Sequence, residues 1–144
     1  VAASRQAQIV ELGGLKLLLP LTQSKDVEVQ RLAVHALANL SVDCEGEISR
    51  RSPKRHLCSP YAAENQERMA EEGGIDMLVI MLASPQANLQ RQAAKALANL
   101  GVNSGNKQRI CRAGGVPPLV RLAGSKSPEV AVEAVAALAN LAVN

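Results

Sequence analysis

Three glycine pairs stand at one fixed distance from three asparagines. Gly13-Gly14, Gly73-Gly74 and Gly114-Gly115 are each followed by an L-A-N-L segment, whose asparagines are Asn39, Asn99 and Asn140. From the second Gly to the Asn the separation is 25 residues every time. A chain with such a period folds as a row of equivalent units, each burying its apolar faces on its neighbours. Asn99 and Asn140 are 41 residues apart, but Asn39 and Asn99 are 60 apart, so 19 additional residues lie between the first two units. Asn65-Gln66-Glu67-Arg68 matches Asn106-Lys107-Gln108-Arg109, which places the addition before Asn65. The division is therefore 1–43 for the first unit, 44–63 for an insert expected to be a disordered loop, 64–104 for the second unit and 105–144 for the third.

Within a unit the pattern predicts three helices. A short one, about Asn65 to Glu72 or Asn106 to Ala113, ends at the Gly pair, because glycine takes up the left-handed conformation that closes a helix. An apolar one follows, Ile75 to Leu82 and Val116 to Ala123, with Pro117 suited to a first turn. The longest carries apolar residues at helical spacing: Val29, Leu32, Ala33, Ala36, Leu37 and Leu40, then Leu89, Ala93, Ala96, Leu97 and Leu100. Pro20 falls inside the second helix of the first unit and is expected to shorten or kink it. Composition agrees with an all-α fold. The chain is 47% hydrophobic but has no Phe or Trp and one Tyr, Tyr61, whereas sheets are rich in aromatic and β-branched residues.

Segments such as Arg112-Ala113-Gly114-Gly115-Val116-Pro117-Pro118-Leu119-Val120 and Ala137 to Val143 resemble the armadillo repeat family. The resemblance covers nearly the whole chain outside the insert. HEAT repeats, the nearest rival, are helix pairs with no short third helix before a Gly-Gly. The resemblance implies a right-handed α-solenoid of three repeats, with the third helix of each lining a concave groove that holds extended peptides. It also implies that the groove-facing residues share one side of that helix with the Asn. Steps of four residues from each Asn give Arg31, His35 and Asn39, then Arg91, Lys95 and Asn99, then Val132, Ala136 and Asn140. An Asn amide donates and accepts, so a ladder of them can pair with a peptide backbone of any sequence. The plainer role, satisfying carbonyls near a helix end, is compatible with this one.

The karyopherin branch of the family pairs this Asn with a Trp four residues earlier; here those positions are His35, Lys95 and Ala136, which argues against a nuclear-import adaptor. Arg31, Arg91 and Lys95 on the face, with no acidic residue among these positions, lead us to expect acidic or phosphorylated peptides, as in catenin-like relatives. Solvated surface charge is the alternative reading of the same residues.

The insert carries Arg50, Arg51, Ser52, Lys54, Arg55 and His56, a basic cluster around Ser52-Pro53. It reads as a nuclear localisation or polyanion-binding segment that Ser52 phosphorylation would offset, or as a surface loop with no dedicated role. Cys44, His56 and Cys58 fall short of a four-ligand zinc pattern; Cys111 is expected to be a small buried hydrophobe. Ser59, Ser84 and Ser127, each before Pro, read as loop and helix-start punctuation.

A net charge of +3 without aromatic stacking platforms disfavours nucleic acid. The apolar run Met77 to Ala83 is too short to cross a bilayer. Neither His35 nor His56 lies in a nucleophile motif, and no phosphate loop is present. The expectation is a scaffold for protein partners, not an enzyme, with no cofactor, metal or small-molecule substrate, in the cytoplasm or nucleus, where three unpatterned cysteines are at home. The alternative is the substrate-recognition region of a larger enzyme such as a ubiquitin ligase or kinesin. Neither end has the polar cap that a solenoid needs, so the chain is expected to be part of a longer array, able to self-associate through its ends.

Overall fold

A computed structural model describes residues 5–42 and 60–143, with side chains in the second stretch from Glu64 onward. Its described residues form nine helices and no strand. The first unit contains α1 (Arg5–Glu11), α2 (Gly14–Leu21) and α3 (Val27–Leu40). The second contains α4 (Pro60–Glu71), α5 (Gly74–Met81) and α6 (Ala87–Leu100), and the third α7 (Ser104–Arg112), α8 (Val116–Ala123) and α9 (Pro128–Ala142). The long helices stack in order, α3 on α6 and α6 on α9, each backed by the second helix of its own unit. One continuous apolar core runs through all three units, from Leu15 and Leu37 through Leu78, Leu89 and Leu97 to Ile110, Leu119 and Val130. Alanines let the helices approach closely: Ala93, Ala94 and Ala96 of α6 are fully buried.

The two glycines of each pair do different work. Gly13, Gly73 and Gly114 have φ of 84°, 86° and 77°, a left-handed conformation that costs other L-residues about 1–2 kcal/mol. Their partners are needed for closeness instead. A Cβ on Gly74 would lie 2.7 Å from both the Met69 carbonyl oxygen and its Cγ, and one on Gly14 would be equally crowded by Ile9. The pair thus turns the chain and lets the first and second helices touch.

Two details depart from the sequence-based expectation. Pro20 does not shorten α2, which has eight residues like α5 and α8. The proline sits in the last turn, so only one hydrogen bond is lost, at an exposed position, while its own carbonyl accepts from the Gln23 N–H at 3.1 Å. The first helix of the second unit also begins earlier than expected, at Pro60 and not Asn65, so residues 60–63 of the expected insert are helical. Proline is favoured in a first turn and the alanines after it are strong helix formers. The basic cluster Arg50, Arg51, Ser52, Lys54 and Arg55, together with Cys44, His56, Cys58 and Ser59, lies outside the described residues.

Each third helix is entered by the same turn. The hydroxyls of Ser24, Ser84 and Ser125 accept from the backbone N–H two residues on, at 3.1, 3.2 and 3.2 Å. Ser84 and Ser127 both mark the helix start as expected: Ser127 is the N-cap of α9 with Pro128 in its first turn, although the side-chain bond in this turn comes from the Ser125 hydroxyl and not from its own.

Candidate functional site

At 3.6 residues per turn, positions four, seven and eleven before each asparagine share its face. On α3 this stripe is Glu28, Leu32, His35 and Asn39, and all four are exposed. On α6 it is Asn88, Gln92, Lys95 and Asn99, and on α9 Glu129, Glu133, Ala136 and Asn140. Arg31, Arg91 and Val132 lie at its edge, since eight residues turn a helix well past two full turns. Stepping only by fours reached these edge positions and missed Glu28, Leu32, Asn88, Gln92, Glu129 and Glu133. The hydrophobic period that located the helices could have found them.

This changes the charge of the face. The expectation of basic residues without acidic company is corrected by two ion pairs. Arg31 meets Glu28 of its own helix at 2.8 Å, and a hydrogen bond followed by charge attraction raises the pKa of its guanidinium. Arg91 crosses from α6 to α9 and meets Glu129 at 3.1 Å. Glutamates went unnoticed because the first lies three residues before its arginine and the second in the next unit. Among the described residues Lys95, His35 and Glu133 have no ion pair. A cleft of about 320 Å³ opens here, lined by Arg91, Pro128, Glu129, Val132 and Glu133. The face is thus basic on α6 and acidic on α9.

Asn99 and Asn140 also act between units. Asn140 Nδ2 donates to the Ala98 carbonyl at 2.7 Å, and Asn99 Nδ2 to the Ser41 hydroxyl at 3.1 Å. Each NH2 group has two hydrogens, so one N–H and the Oδ1 acceptor of each amide remain. The exposed Asn39 side chain makes no hydrogen bond among the described residues. Gln92 lies on the floor of the face, only 4% exposed, and its Oε1 has no hydrogen-bond partner.

A second repeating device was not anticipated. Gln6, Gln66 and Lys107 occupy equivalent positions on the three first helices. Gln6 Nε2 donates to the Asn39 carbonyl at 2.9 Å. Gln66 Nε2 reaches both the Ser41 carbonyl of the preceding unit at 3.0 Å and the Asn99 carbonyl of its own at 3.3 Å. Lys107 donates to the Val143 carbonyl. These side chains satisfy the carbonyls that a helix end leaves without partners, and so tie the first helices to the ends of the third.

Cys111 is exposed, not buried as expected. It lies on the outer side of α7, where Ile110 alone of the adjacent pair turns inward. Among the described residues, no group of three or more His, Cys, Asp or Glu side chains could hold a metal ion. No helix among them is long and apolar enough to cross a membrane.

The family profile described as Armadillo/beta-catenin-like repeat matches residues 5–42, 63–102 and 103–143. Among solved structures, an engineered protein is 35% identical, covers 98% of this chain and superposes with a TM-score of 0.80. A designed armadillo repeat protein in complex with the peptide (KR)4 is 29% identical over 94% of the chain, with a TM-score of 0.78. Computationally designed armadillo repeat proteins for modular peptide recognition are similar at 29% identity and a TM-score of 0.77. The chain spans about half the length of these structures, 50%, 49% and 50% in turn. No curated protein matches the chain.

Proposed function

Because the chain belongs to the armadillo repeat family, we propose that it is a protein-binding scaffold that holds an extended peptide segment along the face of α3, α6 and α9. The observation that carries this reading is the row Asn39, Asn99 and Asn140. The last two amides are oriented by the preceding unit and keep one N–H and one acceptor each for a ligand. An extended chain has unpaired N–H and C=O groups at regular intervals, and a rigid row of amides satisfies them without reference to side chains. The peptide bound by a designed relative makes a peptide ligand reasonable for this face.

Arg91 and Lys95, with Arg31 and His35 beside them, favour an acidic or phosphorylated residue at the α3–α6 end of the segment. Their pairing confines that preference, since Arg31 and Arg91 are already engaged by glutamates.

Selection from a displayed library of random octapeptides tests the proposal, using the chain as it stands and its Asn39→Ala variant. Asn39 makes no side-chain bond within the described structure, so its loss leaves the fold intact and isolates the ligand contact. Weaker binding of the selected peptides by the variant is expected. Equal binding by both proteins would refute an asparagine ladder.

A further inference from the structure

We propose that the segment bound on this face is bipolar: an acidic residue seated at Lys95 and a basic residue, about three positions away along the peptide, seated at Glu133. The inference rests on the peptide-binding reading above and adds the charge pattern and spacing of the ligand.

The charges of the face come in two kinds. Arg31–Glu28 and Arg91–Glu129 neutralise one another, and both pairs leave their carboxylates well exposed to water. Lys95 and Glu133 carry charge with no partner among the described residues. They stand on adjacent long helices. Glu133 borders the cleft that Arg91 also lines, and Lys95 lies one turn after Arg91 on the same side of α6.

Their separation follows from helix geometry. Lys95 aligns with Ala136, so Glu133 is three residues, about 4.5 Å, nearer the start of its helix. Packed helices lie about 8–10 Å apart, which puts the two backbone positions roughly 10 Å apart, the same offset from which Arg91 and Glu129 reach one another; an extended chain covers that distance in about three residues. A ligand with one charge of each sign at this spacing satisfies both groups, and the exposed Val132, which lines the cleft beside Glu133, offers apolar surface to the stem of the basic side chain. A uniformly acidic segment meets Glu129 and Glu133 at the α9 end, and a uniformly basic one meets Lys95 and Arg91 at the α6 end. Either arrangement puts like charges together, which a selective site rejects.

The test extends the same library selection to Lys95→Glu and Glu133→Lys. Both side chains are outside the core, so the variants are expected to fold, and circular dichroism with thermal melting verifies it. Wild-type selection should enrich octapeptides with an acidic and a basic residue about three positions apart. Lys95→Glu should reverse the sign required at the acidic position and leave the basic position unchanged; Glu133→Lys should do the converse. Each reversal should weaken binding of the best wild-type peptide about three- to tenfold at low salt. Enrichment of peptides of one charge sign, or of no charge pattern, that still depend on Asn39 overturns bipolar recognition and leaves the scaffold reading standing. Peptides indifferent to Asn39, or no enrichment at all, overturn both.

Discussion

Asn99 Nδ2 donates to Ser41 Oγ at 3.1 Å, so the asparagine that marks the second unit also fastens it to the first. Ser41 is fully buried, and its own hydroxyl donates to the Ala38 carbonyl at 2.6 Å. Removing the hydroxyl leaves a partly buried amide short of an acceptor. Ser41→Ala should therefore lower stability by about 1–2 kcal/mol in urea unfolding. Asn39→Ala, at an exposed side chain, should stay within about 0.5 kcal/mol. Similar losses from the two substitutions would show that the inter-unit bond contributes little.

Gln66 and Gln6 stand at equivalent positions with different duties. Gln66 is buried and bridges two units, while Gln6 is half-buried and serves one. Gln66→Ala orphans a buried carbonyl at Ser41 and should cost about 1–3 kcal/mol. Gln6→Ala should cost clearly less, because water reaches the carbonyl it releases. Hydrogen exchange is the sharper readout: Gln66→Ala should speed exchange in the last turns of both α3 and α6, and a change confined to α6 would contradict the bridge.

The glycine pair supports a third comparison. Gly73→Ala must adopt a left-handed conformation, at about 1–2 kcal/mol. Gly74→Ala must push the Met69 backbone away, and overpacking of this kind costs about 1–3 kcal/mol. Gly73→Asn should recover part of the first loss, since Asn tolerates that conformation. Met69 is fully buried, so Met69→Ala alone should cost about 2–5 kcal/mol; in a double-mutant cycle measured by thermal unfolding it should offset only part of the Gly74→Ala cost, because the carbonyl oxygen stays in place. A coupling energy equal to the whole Gly74→Ala cost would show that the side chain alone sets the limit.

Arg91 and Glu129 form the ion pair between α6 and α9, yet both are open to water. An exposed pair of this kind is worth about 0.2–1 kcal/mol and is screened by salt. Glu129→Gln should change the melting temperature only slightly, and less still in concentrated salt. A large loss that persists in salt would mean that the pair is structural and not part of a binding face.

Cys111 is exposed on α7. A chain in which it is the sole cysteine, with Cys44 and Cys58 replaced by Ser, should react with a soluble thiol reagent without denaturant. Reaction only after unfolding would place the thiol in the core.

Much of this was legible in one dimension. The 25-residue register from Gly14 to Asn39 and its two copies located the units, because helix length and chain reversal are written locally. The Asn positions and the basic edge residues Arg31 and Arg91 could be read from the same register. Glu28 and Glu129, eleven residues before their asparagines, lie beyond the two strict steps of four that lead to Arg31 and Val132, and the effect of Pro20 depends on where in the turn it falls. Both are legible in the helical period. Other features are not. Whether Arg91 meets Glu129, 38 residues away, and whether Gln66 reaches a carbonyl of the preceding unit depend on how one helix sits on the next. So does the side of α7 on which Cys111 emerges.

Local conformational preference and helical period, both written in the chain, set the three helical units, the turns between their helices and the face on which the asparagines stand. Only the stacking of the units settles which charges cancel from one unit to the next. Pairing requires atoms within a few ångströms, and only the stacking of α6 on α9 brings residues so distant in the chain together, leaving Lys95 and Glu133 without an ion pair among the described residues.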